Sequence, residues 1–110
     1  MAIFTKARAK NISPQEAYRL MRQPGEYILL DVRTREEYAQ AHIPGAKPIP
    51  VDELAGRASA ELPDKQVPVY VYCHSGARAA RAAGLLAGMG YTDVFHFGGI
   101  IDWPYEVAKG

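Results

Sequence analysis

The one cysteine of the chain, Cys73, ends the apolar run Val69-Tyr-Val-Tyr72 and is followed by His74-Ser75-Gly76-Ala77-Arg78, after which alanines recur at helical spacing. A strand that hands a thiol to a short glycine-containing loop, with a helix directly behind it, surrounds the sulfur with backbone N–H groups and the positive end of a helix dipole. That setting favours the thiolate, the nucleophilic form of the side chain, and a guanidinium such as that of Arg78 adds to the effect. The alternative for a free cysteine is burial as a small inert hydrophobe. Position argues against it, because Cys73 is the last residue of its run and the polar or small residues after it belong at the surface. Nucleophilic chemistry on Cys73 is the expectation, with His74, Ser75, Gly76, Ala77 and Arg78 as the loop that binds substrate.

The elements that must position this loop follow from the apolar pattern. Tyr27 to Val32 is a continuous apolar run closed by Asp31, Arg33 and Thr34, as in a strand buried on both faces. Val69 to Tyr72 and Asp93 to Phe97 are further strands, and Ala46 to Pro50, bounded by prolines, suits a sheet edge. Between them lie helical stretches. Ser13 with Pro14 opens the first, up to Arg22. Thr34 with Glu37 forms a capping box over Arg35 to Ala41. Val51 to Ala60 is a third helix, Ala77 to Met89 a fourth that ends at Gly90, and Ile100 to Ala108, carrying Trp103, a terminal one. Gly98-Gly99 reads as a turn. Strands alternating with helices predict an α/β fold, a mostly parallel sheet with helices on both faces.

Composition narrows the class. The 110 residues, 48% of them apolar, suit one domain spanning residues 1–110 with a core that needs neither disulfide nor metal. A lone cysteine excludes an internal disulfide, a Cys-x-x-Cys pair and a Cys/His zinc cluster, and points to a reducing compartment. Residues 1–10 are basic through Lys6, Arg8 and Lys10, and the rest of the chain carries two more acids than bases, so no nucleic-acid surface is indicated. The apolar part of that segment, Ala2 to Phe4, is far shorter than the roughly 7 to 15 residues of a secretory core, and no run approaches the about 18 that cross a membrane. A soluble cytoplasmic monomer is the expectation.

The remaining candidates are weighed by chemistry. Asp31 and Arg33 end a central strand on the side where open α/β sheets bind ligands. A carboxylate beside the thiol would oppose its ionisation, so their expected role is structural, as an ion pair or loop anchor. His42, next to Ile43-Pro44-Gly45, is expected to bond its own loop, and His96, inside a strand, to be packed. Arg81 lies one turn beyond Arg78 and points either to the site or to solvent. Tyr70, Tyr72 and Trp103 are explained by packing as well as by a pocket.

In order along the chain, Asp31-Val-Arg33, Glu37-Tyr38, His42-Ile-Pro-Gly-Ala46, Tyr72-Cys-His-Ser-Gly-Ala-Arg78, Gly90-Tyr-x-x-Val94, and Gly98-Gly99 with Trp103 resemble the rhodanese-like sulfurtransferases in their single-domain form. The resemblance implies a five-stranded parallel sheet and a double displacement. Cys73 takes the outer sulfur of a donor such as thiosulfate as a persulfide and passes it to an acceptor such as cyanide or a thiol, with no cofactor. Small molecules, and among acceptors a protein thiol, are the implied partners. The family pattern assigns loops of six residues, the length from Cys73 to Arg78, to sulfur transfer. Loops one residue longer belong to related phosphatases and arsenate reductases, which would need an arginine at Ala79. A persulfide relay or binding module needs the same loop as an independent enzyme and stays open beside it. The sequence departs from the pattern at His74, where arginine is common, and at Ala77, where asparagine is frequent. An imidazole is a titrating rather than a permanent cation, which implies weaker, pH-dependent attraction of a dianionic donor.

Overall fold

The structure is a computed structural model that describes residues 9–110. Most of the basic segment 1–10 therefore lies outside the described residues. In chain order the elements are β1 (Ala9–Asn11), α1 (Pro14–Met21), β2 (Ile28–Asp31), α2 (Arg35–Gln40), β3 (Lys47–Pro48), α3 (Val51–Glu61), β4 (Val69–Cys73), α4 (Ala77–Gly88) and β5 (Val94–Gly99), followed by a 3₁₀ turn at Ile100–Asp102. The strands form one parallel sheet in the order β1-β5-β4-β2-β3.

The helix starts are written in the sequence. Ser13 accepts a hydrogen bond from the Glu16 N–H with Pro14 behind it, and Thr34 and Glu37 bond reciprocally as a capping box. These bonds satisfy N–H groups that a helix leaves without partners. β4 is buried along its whole length. Its alternate residues feed two cores, because successive strand side chains point to opposite faces. Val69, Val71 and Cys73 join Leu54, Ala58 and Leu62 of α3 and Ala79, Ala82, Ala83 and Leu86 of α4. Tyr70 and Tyr72 join Ala17 of α1, Leu29, Ile43 and Phe97, with Tyr38 and Trp103 packed alongside. The alanines let α4 lie close against β4 and β5.

Three expectations are corrected. The apolar pattern shows four strands, and the fifth, β1, is a short polar edge strand whose residues pair with Val94, Phe95 and His96. It is half-buried to exposed, so it carries no apolar run to betray it. The weak strand over residues 46–50 shrinks to Lys47–Pro48 at the opposite edge. The terminal helix does not form. After the single 3₁₀ turn, Trp103 is extended, with φ −82° and ψ 111°, because Pro104 excludes the helical region for the residue before it. The chain then runs extended, and Ala108 forms an isolated antiparallel bridge with His42.

Candidate active site

Cys73 sits at the carboxyl end of β4, the end where open parallel sheets place ligands. The residue is 1% exposed and packs in the core with Val71 and Ala79, so the expectation that its place at the end of the run keeps it from burial is corrected: the loop folds back over the sulfur. The Gly76 N–H donates to its Sγ at 3.0 Å, and the Gly98 carbonyl oxygen lies 3.9 Å away. Gly76 has φ +132°, a value that disfavours any side chain, and it caps α4, its carbonyl accepting from the Ala80 N–H. The chain therefore reverses around the sulfur and enters the helix within three residues. His74, Ser75 and Ala77 are exposed on the outside of this turn, and Arg78 is half-buried.

A break in the register of β4 and β5 shapes the floor beneath the loop. Val71 stands opposite His96, but Cys73 stands opposite Gly99, so β5 holds one residue more than β4 in this interval. Such bulges re-aim the chain next to functional sites. Gly98, read as part of a turn, belongs to the strand with φ +87°. Gly99 lies directly beneath the loop, where a β-carbon would come within 1.8 Å of the His74 carbonyl oxygen and 2.4 Å of the Ser75 nitrogen. The Ile101 N–H donates to the same His74 carbonyl at 3.3 Å.

Arg78 is held by Glu37, which sequence reasoning treats as a helix cap and as part of the family pattern but not as a partner of the loop. Its two terminal nitrogens donate to Glu37 as a fork, at 2.6 and 3.0 Å. The same carboxylate accepts from the Thr34 backbone N–H. Arg78 holds the Glu37 carboxyl at about 2, well below its ordinary 4.5. The Arg78 pKa is raised mainly by its bonds to Glu37, with further contributions from the charges of Cys73 and Asp31. The separation of 41 positions between Glu37 and Arg78 hides this pairing from any local pattern.

Asp31 and Arg33 form a buried ion pair, with Arg33 Nη2 donating to Asp31 Oδ2 at 2.8 Å and side chains 0% and 5% exposed. Asp31 projects to the face opposite Cys73, where the Tyr72 hydroxyl donates to it at 2.6 Å and in turn accepts from the Ile43 N–H at 3.0 Å. Burial and the Asp31 carboxylate push the Tyr72 phenol far up. Arg33 also donates to the Ala41 carbonyl. His42 bonds the Tyr38 carbonyl through Nδ1 at 2.9 Å and stacks on the Tyr38 ring at 3.8 Å. Arg81 is exposed and 3.9 Å from Asp52 on α3. His96 is half-buried within β5, and desolvation lowers its pKa. No cluster of ligating side chains that could hold a metal occurs among the described residues. Beside the loop lies a depression lined by His74, Ile100, Ile101, Trp103 and Val107, with Glu37 and Arg33 at its polar side.

Comparison with known proteins gives the arrangement a family. The sequence profile of the rhodanese-like domain matches residues 13–104. The thiosulfate sulfurtransferase PspE of Escherichia coli is 41% identical over 81 residues, covering 74% of this chain and 78% of the relative. The thiosulfate sulfurtransferase GlpE of Pseudomonas putida is 32% identical over 106 residues, covering 92% and 94%. The solved structure of a rhodanese with anions from E. coli superposes with a TM-score of 0.73 at 39% identity, covering 77% of this chain and 100% of that one. The profile takes in every element from the cap of α1 to the 3₁₀ turn, and both relatives match over most of their length: the chain belongs to the rhodanese-like domain family.

Proposed function

We propose that this protein is a sulfurtransferase in which Cys73 carries the sulfur. The Cys73 thiolate attacks the outer sulfur of a donor such as thiosulfate. A bond forms between the two sulfurs, sulfite departs with the electron pair of the cleaved S–S bond, and Cys73 is left as a persulfide. An acceptor such as cyanide or a thiol then attacks the outer sulfur and returns the thiolate. The observation that carries this reading is the Gly76 N–H aimed at Sγ at 3.0 Å. Behind it, the first N–H groups of α4 lack partners within the helix, so negative charge on Cys73 or on a sulfur attached to it meets donors already in position. The loop His74 to Arg78 forms the donor-binding wall. Asp31, Arg33 and His42 act as structure: Asp31 and Arg33 are buried against each other and Tyr72, and His42 is bonded through Nδ1 to the Tyr38 carbonyl. The six-residue loop favours a sulfane sulfur over a tetrahedral oxyanion by the pattern of the family. The lone free thiol suits a reducing compartment.

Intact mass after incubation with thiosulfate tests the reading. Wild type gains about 32 Da, one sulfur, and loses it as thiocyanate when cyanide is added, while Cys73→Ala gains nothing. A wild-type protein unchanged by thiosulfate and by organic donors alike overturns it, as does an adduct that survives Cys73→Ala.

A further inference from the structure

Among the described residues, the arginine of the Cys73 loop and its arginine neighbours already have partners within the chain. Arg78, the one arginine of the loop, is forked onto Glu37, and Arg33 is paired with Asp31 in the interior. Arg81 is drawn toward Asp52 on α3 and does not line the depression beside the loop. The rim of that depression is apolar in a way the fold does not require. Ile101 is 58% exposed and Val107 47%, two of the three large hydrophobic residues left open to solvent among the described residues. Both line that depression, with Ile100, Trp103 and, from the loop, His74.

We propose that Glu37 is a specificity-determining residue: by occupying Arg78 it withdraws the loop's permanent cation from donor recognition. The site therefore prefers a sulfane-sulfur donor with a single negative charge on an apolar group to dianionic thiosulfate. The inference rests on the sulfur-transfer reading above and names the substrate class of that same site. An organic thiosulfonate, R–SO₂–S⁻, has this chemistry. The Cys73 thiolate bonds to its terminal sulfur, the bond from that sulfur to the sulfonyl sulfur breaks, and a sulfinate leaves with the electron pair. Total charge is equal on both sides and no outside oxidant or reductant takes part. The apolar group rests on Ile101 and Val107 while the slim sulfur terminus enters the loop. Glu37 acts through Arg78 and is a positioning residue. Because its carboxyl is held at about 2, it stays charged at every pH at which the protein would work.

The test compares kcat/KM for benzenethiosulfonate and thiosulfate, with cyanide as acceptor and thiocyanate as readout, in wild type, Glu37→Gln and Ile101→Ser. Glutamine serves a capping box as glutamate does, so Glu37→Gln keeps the helix start and releases Arg78. Wild type should favour benzenethiosulfonate. Glu37→Gln should raise the thiosulfate value about tenfold, the scale of one charge-assisted hydrogen bond, and leave the benzenethiosulfonate value within about twofold. Its thiosulfate rate should also fall more steeply with salt, since a free cation now steers a dianion. Ile101→Ser should depress benzenethiosulfonate turnover and spare thiosulfate, which keeps the test decisive should Glu37→Gln fail to fold. A wild type that favours thiosulfate, or a donor ratio unmoved by Glu37→Gln in a protein of unchanged circular dichroism, overturns the inference while leaving sulfur transfer intact. Absence of transfer from both donors overturns sulfur transfer itself.

Discussion

At the scale of single residues the site depends on an atom that is missing. The His74 carbonyl occupies the volume a β-carbon on Gly99 would fill, 1.8 Å from its ideal position. The obstacle is backbone on both sides, so neither can swing away as a flexible side chain would. Gly99→Ala should push the loop outward, cost about 1–3 kcal/mol as an overpacked site does, and abolish the gain of one sulfur. A thermal melt and intact mass after thiosulfate would register the two effects. A glycine placed where a strand ends is a recognised sign of close backbone approach, so Gly99 was open to a sharper reading than a turn. Glu37 was not. Its capping role is written three residues from Thr34, but its grip on Arg78 depends on how α2 and α4 are set over one sheet edge, which no local spacing encodes.

At the scale of elements, β4 binds the molecule together through Tyr72. Its hydroxyl donates to Asp31 on β2 and accepts from the Ile43 N–H in the loop before β3, so one oxygen fixes three segments. Tyr72→Phe keeps the ring and leaves a buried carboxylate short of a donor and a buried N–H without an acceptor. A loss of about 1–3 kcal/mol is expected, read as a lower urea midpoint with an unchanged slope. The central elements were legible because their signals are local: a run apolar on both faces for β2 and β4, side-chain caps for α1 and α2, small residues at helical spacing for α4. The edges were not. β1 owes its existence to hydrogen bonds offered by β5 rather than to its own composition, and the segment after Trp103 is extended because Pro104 outweighs an apolar pattern that reads as helical.

At the scale of the whole molecule, ion pairs link α2 to α3 and α4. Arg35 binds Glu53 on α3 and Glu37 binds Arg78 on α4. The arginines hold both carboxyls near 2 instead of the ordinary 4.5. Each group takes up its proton more readily unfolded than folded. The stability they supply is therefore complete above about pH 4.5 and is lost as pH falls toward 2. Stability measured by urea titration should decline over that window, and Glu37→Gln should flatten the decline without altering the plateau's independence of pH near neutrality. The ion pairs stand on exposed or half-exposed side chains, so added salt should weaken the effect.

Cys73 is both the one thiol of the chain and 1% exposed, and this makes the protein a ready-made reporter of its own motions. Any thiol-directed fluorophore or spin label attaches at a single known position without mutagenesis. A bulky reagent reaches the sulfur only when the loop lifts from Gly99, so its rate of attachment measures how often that opening occurs. Divided by the same reagent's rate with the unfolded chain, that rate reports the free energy of opening at one place in the fold, under native conditions.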